Sequence, residues 1–269
     1  PGPPDRAMGI IYDVEISATG PVRMNHPHVI TDLPLSSTNT AHLTISTELT
    51  HLTDEPLKGD WNGVIKNVNN VDEGGTSQGK PGNVVRFSKA VSLEPGEHKL
   101  VTHELDVSEP RLWWPNNKGP QNLYDLMMDF KTNGAVSDNE DIRFGIREIS
   151  SFVKQSDGKR LRIFQVNGKN ILIRGGAWWF DMMLQHWPEK TEAEVRYAKE
   201  MNFNAYRFEG IRGTDDMYNL MDKYGIMAMV GLNCHGPWEI YEQWSDHIAD
   251  IAVKSWKDQV IRLRNHPEG

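Results

Sequence analysis

The hydrophobic period changes once along this chain, near residue 150, and that change limits the fold more than any other feature. From residue 10 to about 149, apolar and polar residues alternate in short runs: IIYDVEI, AHLTISTELTHL, NVVRFSKAVSL, HKLVTHELDV, LYDLMMDF and DIRFGIREI. In the second run Leu43, Ile45, Thr47 and Leu49 share one face, the period of two of a half-buried strand. Pro95-Gly96 and Asn133-Gly134 supply turns between runs, and the polar, glycine-rich stretch VDEGGTSQGKPG (71–82) is a surface loop. Several short strands over ~120 residues predict an antiparallel β-sandwich of immunoglobulin type. The paired cysteines of antibody domains are lacking, so the expectation concerns architecture alone.

Beyond residue 150 the pattern alternates between strands and helices. Asp157-Gly158 and Asn167-Gly168 mark two hairpins. A buried strand is expected at ILIR (171–174), then a helix from Thr191, where Thr191 and Glu194 have capping-box spacing. AYRF (205–208) is a second strand. Thr214 opens another helix, with Met217, Leu220, Met221 and Tyr224 on one face and Gly225 as its stop. IMAMVG (226–231) is a third strand, and a last helix spans about Asp250 to Asn265 with Ala252, Trp256, Val260 and Leu263 inward. Alternation of this kind implies parallel β/α units. Three units are fewer than a closed eight-unit barrel of ~250 residues requires, so the expectation is an incomplete (β/α)8 barrel after the sandwich.

Composition narrows the partners. The chain has 269 residues, 38% hydrophobic and 25% charged, with a formal charge of −8; at ~150 residues per domain that is about two domains. The acidic balance argues against nucleic acid, which wants a basic face. It suits solubility, or a cationic substrate such as an amino sugar. No apolar run reaches the ~18 residues of a membrane span, and PGPPDRAMG at the start is unlike a signal peptide. Cys234 is the single cysteine, which excludes an intrachain disulfide and a multi-cysteine zinc site. No phosphate loop, HExxH pair or GxSxG elbow is present, so no cofactor or metal is expected.

In parallel β/α folds ligands meet the C-terminal ends of the strands. Three stretches qualify: GGAWWFD (175–181), Glu209-Gly210 and LNCHGPWE (232–239). They bring Asp181, Glu209 and Glu239 together with Trp178, Trp179 and Trp238. Indole faces stack on a pyranose ring, and carboxylates accept hydrogen bonds from its hydroxyl or ammonium groups. Bland readings stand beside these. A tryptophan in such a loop can serve packing, and Asp181 can cap a loop. Glu209 directly follows an apolar strand and needs a partner; Arg207, two residues earlier on the same face, is the alternative to a ligand. Cys234 and His235 are adjacent on an extended segment and point apart, against a nucleophile–base pair. His266 before Pro267 is a helix terminator rather than a ligand.

At these residues the chain resembles glycoside hydrolase family 2. DRAMGIIYDVEI is similar to the closing strand of that family's N-terminal sugar-binding domain. RLWWPNNKGPQNLYDL and DIRFGIREI resemble later strands of its immunoglobulin-like domain, FQVNGKNILIRGGAW its entry into the barrel, and RNHP the segment before the fourth barrel strand. The resemblance implies divisions at 1–19, 20–149 and 150–269: sugar-binding strand, sandwich, and first part of the barrel. GGAWWFD with RFEG is similar to exo-β-D-glucosaminidases, which remove glucosamine from chitosan oligomers. This implies that Asp181 and Glu209 recognise the terminal sugar and its amine, that Arg207 supports the active-site carboxylates, and that Trp238 and Glu239 belong to the pattern. Leu232 and Gly236 depart from it, where a tryptophan and an aspartate are usual.

Members of this family retain anomeric configuration through an acid and a nucleophile ~5–5.5 Å apart. The resemblance places both beyond Gly269, so no catalytic residue is assigned within this chain, and the chain by itself is expected to be inactive. The position of Glu209 is typically not acidic in plant endo-β-mannosidases. The alternatives are a β-mannosidase or β-galactosidase of the same family, or a non-catalytic carbohydrate-binding fragment. The resemblance makes secretion plausible and implies a carbohydrate partner, an amino-sugar oligosaccharide.

Overall fold

The computed structural model describes residues 14–35, 37–68, 84–179, 187–208, 213–231 and 245–268. The alternating runs become β1 (Val22–Asp32), β2 (Thr40–His51), β3 (Leu57–Asn67), β4 (Val85–Leu93), β5 (His98–Ser108), β6 (Tyr124–Thr132) and β7 (Ala135–Phe144). They form two antiparallel sheets, ordered β1-β2-β5 and β4-β3-β6-β7. Seven strands divided in this way make the sandwich that the period of two predicts. Leu43, Ile45, Thr47 and Leu49 all face inward on β2. They meet Trp61, Ile65, Leu126 and Phe130 of the other sheet in one apolar core. Trp61 is fully buried and meets Phe87 edge-on, with ring centroids 4.9 Å apart.

Side chains close one side of the sandwich. Ser137 Oγ accepts from Val22 N and donates to Val22 O, both at 2.8 Å, and Asp138 Oδ2 accepts from Met24 N at 2.7 Å. Edge strand β1 is thereby tied to edge strand β7 through hydroxyl and carboxylate, which removes two unpaired strand edges at once. The strand expected at IIYDVEI falls partly outside the described residues. Its tail, Val14 to Ile16, joins no sheet, and Val14 and Ile16 are exposed. Alternation alone makes no strand where no neighbour pairs with it among the described residues.

A hairpin sheet follows: β8 (Ile149–Ser156), β9 (Lys159–Val166) and β10 (Lys169–Ile171), ordered β10-β9-β8. Asn133-Gly134, Asp157-Gly158 and Asn167-Gly168 all take positive φ, between 50° and 78°. That is the backbone two-residue hairpin turns demand, and asparagine, aspartate and glycine enter it at least strain.

The strand–helix alternation gives β11 (Gly175–Trp178), α1 (Pro188–Glu200), β12 (Ala205–Phe208), α2 (Asp215–Tyr224), β13 (Met227–Val230) and α3 (Asp246–Leu263), with β11-β12-β13 a parallel sheet. Two expectations are corrected here. The first parallel strand is GGAW, not ILIR: Ile171 ends an antiparallel pairing with β9, and 172–174 lie between strands. A Cβ on Gly175 would stand 1.8 Å from Ala205 O, so the glycines that disguise this strand permit its close approach to β12. Helix α1 begins at Pro188, three residues before Thr191, because proline's fixed φ and missing N–H suit the first helical position. Thr191 Oγ1 instead donates back to Trp187 O at 3.1 Å.

The other helix signals hold. Thr214 caps α2 by accepting from Met217 N, and Gly225 ends it at φ 76°. Helix α3 starts earlier than expected, at Asp246, capped by Ser245. Val260, expected inward, is exposed, and Gln259 is the buried residue of that turn. Helices α1 and α2 cover one side of the parallel sheet with Val195, Ala198, Met217, Tyr218 and Met221 against Tyr206 and Phe208. No helix among the described residues is long and apolar enough to cross a membrane.

The sandwich and the β/α part meet through polar contacts. Asn265 accepts from Val29 N at 3.0 Å and donates to Pro27 O at 2.9 Å, while Arg264 donates to His26 O. Arg147 Nε donates to Pro267 O at 3.0 Å. Trp113 Nε1 donates to Asp222 O at 2.9 Å, and Asn116 Nδ2 to Phe203 O at 2.8 Å. The four residues of RNHP thus contact either the sandwich or α2. Their role is to dock one part of the chain on the other.

Candidate functional site

The sheet β11-β12-β13 has two different faces. Tyr206 and Phe208 point into the helix layer, and Trp178 joins them, its ring 5.3 Å from Phe208. On the opposite face Ala177, Arg207 and Met229 stand in register across the three strands, all exposed. Alternation along a four-residue strand thus puts Trp178 and Arg207 on opposite sides of the sheet.

Trp178 is held firmly. Its Nε1 donates to Glu194 Oε2 at 2.9 Å, and Lys190 Nζ lies 3.5 Å from the other oxygen of that carboxylate. Tyr206 donates its hydroxyl to Glu194 O at 3.2 Å; burial pushes this phenol up to about 12, so it stays a donor across neutral pH. The sequence reading gave Glu194 to a helix cap and did not find this role. Period and spacing do not show which indole N–H a surface helix residue will meet.

Trp179 follows directly after β11 and is 51% exposed. Asp181, Glu209, Trp238 and Glu239 lie outside the described residues, as do Leu232, Cys234, His235 and Gly236. The described strand ends of β11, β12 and β13 therefore bring Trp178, Trp179 and Arg207 to the C-terminal edge of one parallel sheet, where ligands bind in such folds.

A second group of chemical interest was not singled out from the sequence. Asp222, His266 and Glu268 present ligand-type atoms within 4.8 Å of one another. His266 Nδ1 lies 2.6 Å from Asp222 Oδ2, so the imidazole is already engaged as a hydrogen-bond partner. Asp222 escaped notice because the apolar stripe of α2 was drawn through residues 217, 220, 221 and 224. The buried arc also takes in Tyr218 and Asp222, and a hydrophobic template passes over a buried carboxylate.

Comparison with known proteins places this geometry. Residues 22–147, the sandwich, match the model for glycosyl hydrolases family 2, and relatives extend the likeness through the β/α part. The chain belongs to this family. Among its relatives, the exo-β-D-glucosaminidase of Streptomyces avermitilis is 33% identical over 278 residues, covering 98% of this chain and 28% of that protein. The crystal structure of Amycolatopsis orientalis exo-chitosanase superposes with a TM-score of 0.81 at 29% identity, covering 100% of this chain and 30% of that one. A mannosylglycoprotein endo-β-mannosidase of Lilium longiflorum is 27% identical over 242 residues, covering 83% of this chain and 23% of that protein. The chain thus spans under a third of the length of these relatives.

Proposed function

We propose that the protein is a retaining family 2 hydrolase that releases β-linked glucosamine from the ends of chitosan oligomers. Likeness over 98% of this chain to an exo-β-D-glucosaminidase carries the reading. On it, residues 1–19 close a sugar-binding domain, 20–149 are the sandwich, and 150–269 contribute the first three units of a (β/α)8 barrel. Arg207 stands on the sheet face that becomes the barrel interior. Glu209, two residues further along the sequence, binds the terminal sugar and its amine together with Asp181. Trp179 and Trp238 supply stacking surface, and Glu239 accepts hydrogen bonds from the sugar. Trp178 works from the helix side, fixing the strand end that leads into its loop. The general acid and the nucleophile are assigned to the length that the relatives have and this chain does not span.

A carboxylate at Glu209 that reads an ammonium group distinguishes an amino sugar from its hydroxyl analogue, since a charge-assisted hydrogen bond is roughly twice as strong as a neutral one. In the native protein, Glu209→Gln is expected to lower kcat/KM on an aryl β-glucosaminide by about 100-fold, the scale of ~3 kcal/mol. The loss on the matching β-mannoside is expected to be under tenfold. Equal losses on both substrates would remove Glu209 from amine recognition and favour the mannosidase reading that the lily relative raises.

A further inference from the structure

Where α2, the segment after α3 and the sandwich meet, two carboxyl groups are shut away from water. Asp222 is fully buried and Glu268 is 2% exposed. Asp222 Oδ1 and Glu268 Oε2 have no hydrogen-bond partner. His266 Nδ1 is hydrogen-bonded to the other oxygen of Asp222 at 2.6 Å and stands 4.0 Å from Glu268 Oε2. Two buried carboxyls side by side cannot both be ionised unless positive charge lies between them; a protonated His266 would serve Asp222 but stands 4.0 Å from the Glu268 oxygen that has no partner, so for Glu268 the choices are a proton or a metal ion.

The surrounding charges decide between the two. From the sandwich, Arg147 and Arg143 act on Asp222, and Arg147 also acts on Glu268 and Glu148. Arg143 is paired with Asp125 at 2.8 Å. From the helices, Tyr218 lies against the His266 ring, with Arg262 above Tyr218 and paired with Asp215. One proton on the carboxyl pair leaves a single negative charge opposite Arg147, and the buried group is neutral. A divalent cation with both carboxylates ionised would leave one positive charge in excess, which burial penalises. Asp222 is hydrogen-bonded to His266 and feels both Arg147 and Arg143, so it is assigned as the carboxylate and Glu268 as the acid.

We infer that Glu268 holds a proton shared with Asp222, and that this proton fastens α2 and the segment after α3 to the sandwich. The same residues carry the backbone contacts of the joint. Trp113 Nε1 donates to Asp222 O, Arg147 Nε to Pro267 O, and Ala228 N of β13 to Glu268 O at 3.0 Å. Losing the proton leaves two buried anions repelling each other beneath those contacts. Burial pushes the titration of the Asp222–Glu268 pair above the carboxylate range, so the pair keeps its proton to a higher pH folded than unfolded. Both folded-state values exceed the unfolded ones, so the folded chain holds more protons. The stabilisation is complete below about pH 4 and is lost as pH rises through neutral. The joint is an acid-side latch.

The test is the pH dependence of unfolding and of amide exchange in the native protein, for wild type and Glu268→Gln, whose amide can donate to Asp222 at every pH. Wild type is expected to lose roughly 2–4 °C in Tm between pH 5 and 8.5, with falling protection at Ala228 N and Asn116 N. Glu268→Gln should flatten both trends. Asp222→Asn, which also removes one charge, is expected to flatten them as well if it folds. An unchanged slope in Glu268→Gln, or a flat wild-type profile, overturns the inference. So does a wild-type Tm that drops on EDTA treatment and recovers with Mn2+, because that places a cation where the proton is assigned.

Discussion

Asn265 joins two parts of the chain with one side chain. Its amide oxygen takes the Val29 N–H and its amide nitrogen serves Pro27 O, both on β1. Truncation leaves a partly buried donor and acceptor without partners. Asn265→Ala is therefore expected to destabilise the native protein by about 1–3 kcal/mol in chemical denaturation, and a change under about 0.5 kcal/mol, the size of an ordinary surface substitution, would show that the joint does not depend on this clamp. Residue roles of this kind were the least legible from sequence. RNHP was recognisable as a family motif, yet its work in docking could not be seen, because every partner is more than forty positions away. Glu194 and Asp222 were missed because neither spacing nor an apolar template shows a polar partner that the fold supplies: Trp178, sixteen positions from Glu194, and the His266–Glu268 pair for Asp222. His266, read as a helix terminator, does follow α3, but it also bonds Asp222.

Elements were more legible where local stereochemistry decides them. The three Asn-Gly and Asp-Gly pairs turn hairpins because positive φ is cheap for those residues and few others. Helix α2 could be bounded to the residue from Thr214 and Gly225. Both ends can be tested. Thr214→Ala removes the acceptor for Met217 N and is expected to cost about 1 kcal/mol. Gly225→Ala forces a side chain into the left-handed region and sets its Cβ 2.6 Å from Asn116 N at the sandwich joint, so its cost should exceed the ~1 kcal/mol of a simple left-handed alanine. Equilibrium unfolding compares them; a Gly225→Ala loss no larger than that of Thr214→Ala would mean the neighbouring loop yields freely. Elements were misplaced where tertiary pairing overrides pattern. ILIR has the apolar run of a buried strand, but β11 is the glycine-rich GGAW beside it, chosen by how closely its backbone can approach β12. The capping-box spacing at Thr191 lost to Pro188, which already supplies a helix start three residues earlier.

At the scale of the whole molecule, a seven-strand sandwich carries a three-stranded parallel sheet whose helix face is packed and whose other face presents Arg207 between Ala177 and Met229. Alternating runs followed by strand–helix alternation were visible in the sequence, and the family followed from ordered motifs in both. The candidate sugar site was only partly accessible to the same reasoning. Strand ends could be located, but the side of the sheet each tryptophan takes depends on a strand boundary that was four residues off, and Trp178 accordingly faces the helices. The substrate is tested by kcat/KM of the native protein on matched aryl β-glucosaminide, β-mannoside and β-galactoside. The glucosaminide is expected to be preferred by about 100-fold or more, the discrimination expected when a carboxylate meets an ammonium group. Preference for the mannoside or galactoside, or no hydrolysis of any of the three, would contradict it.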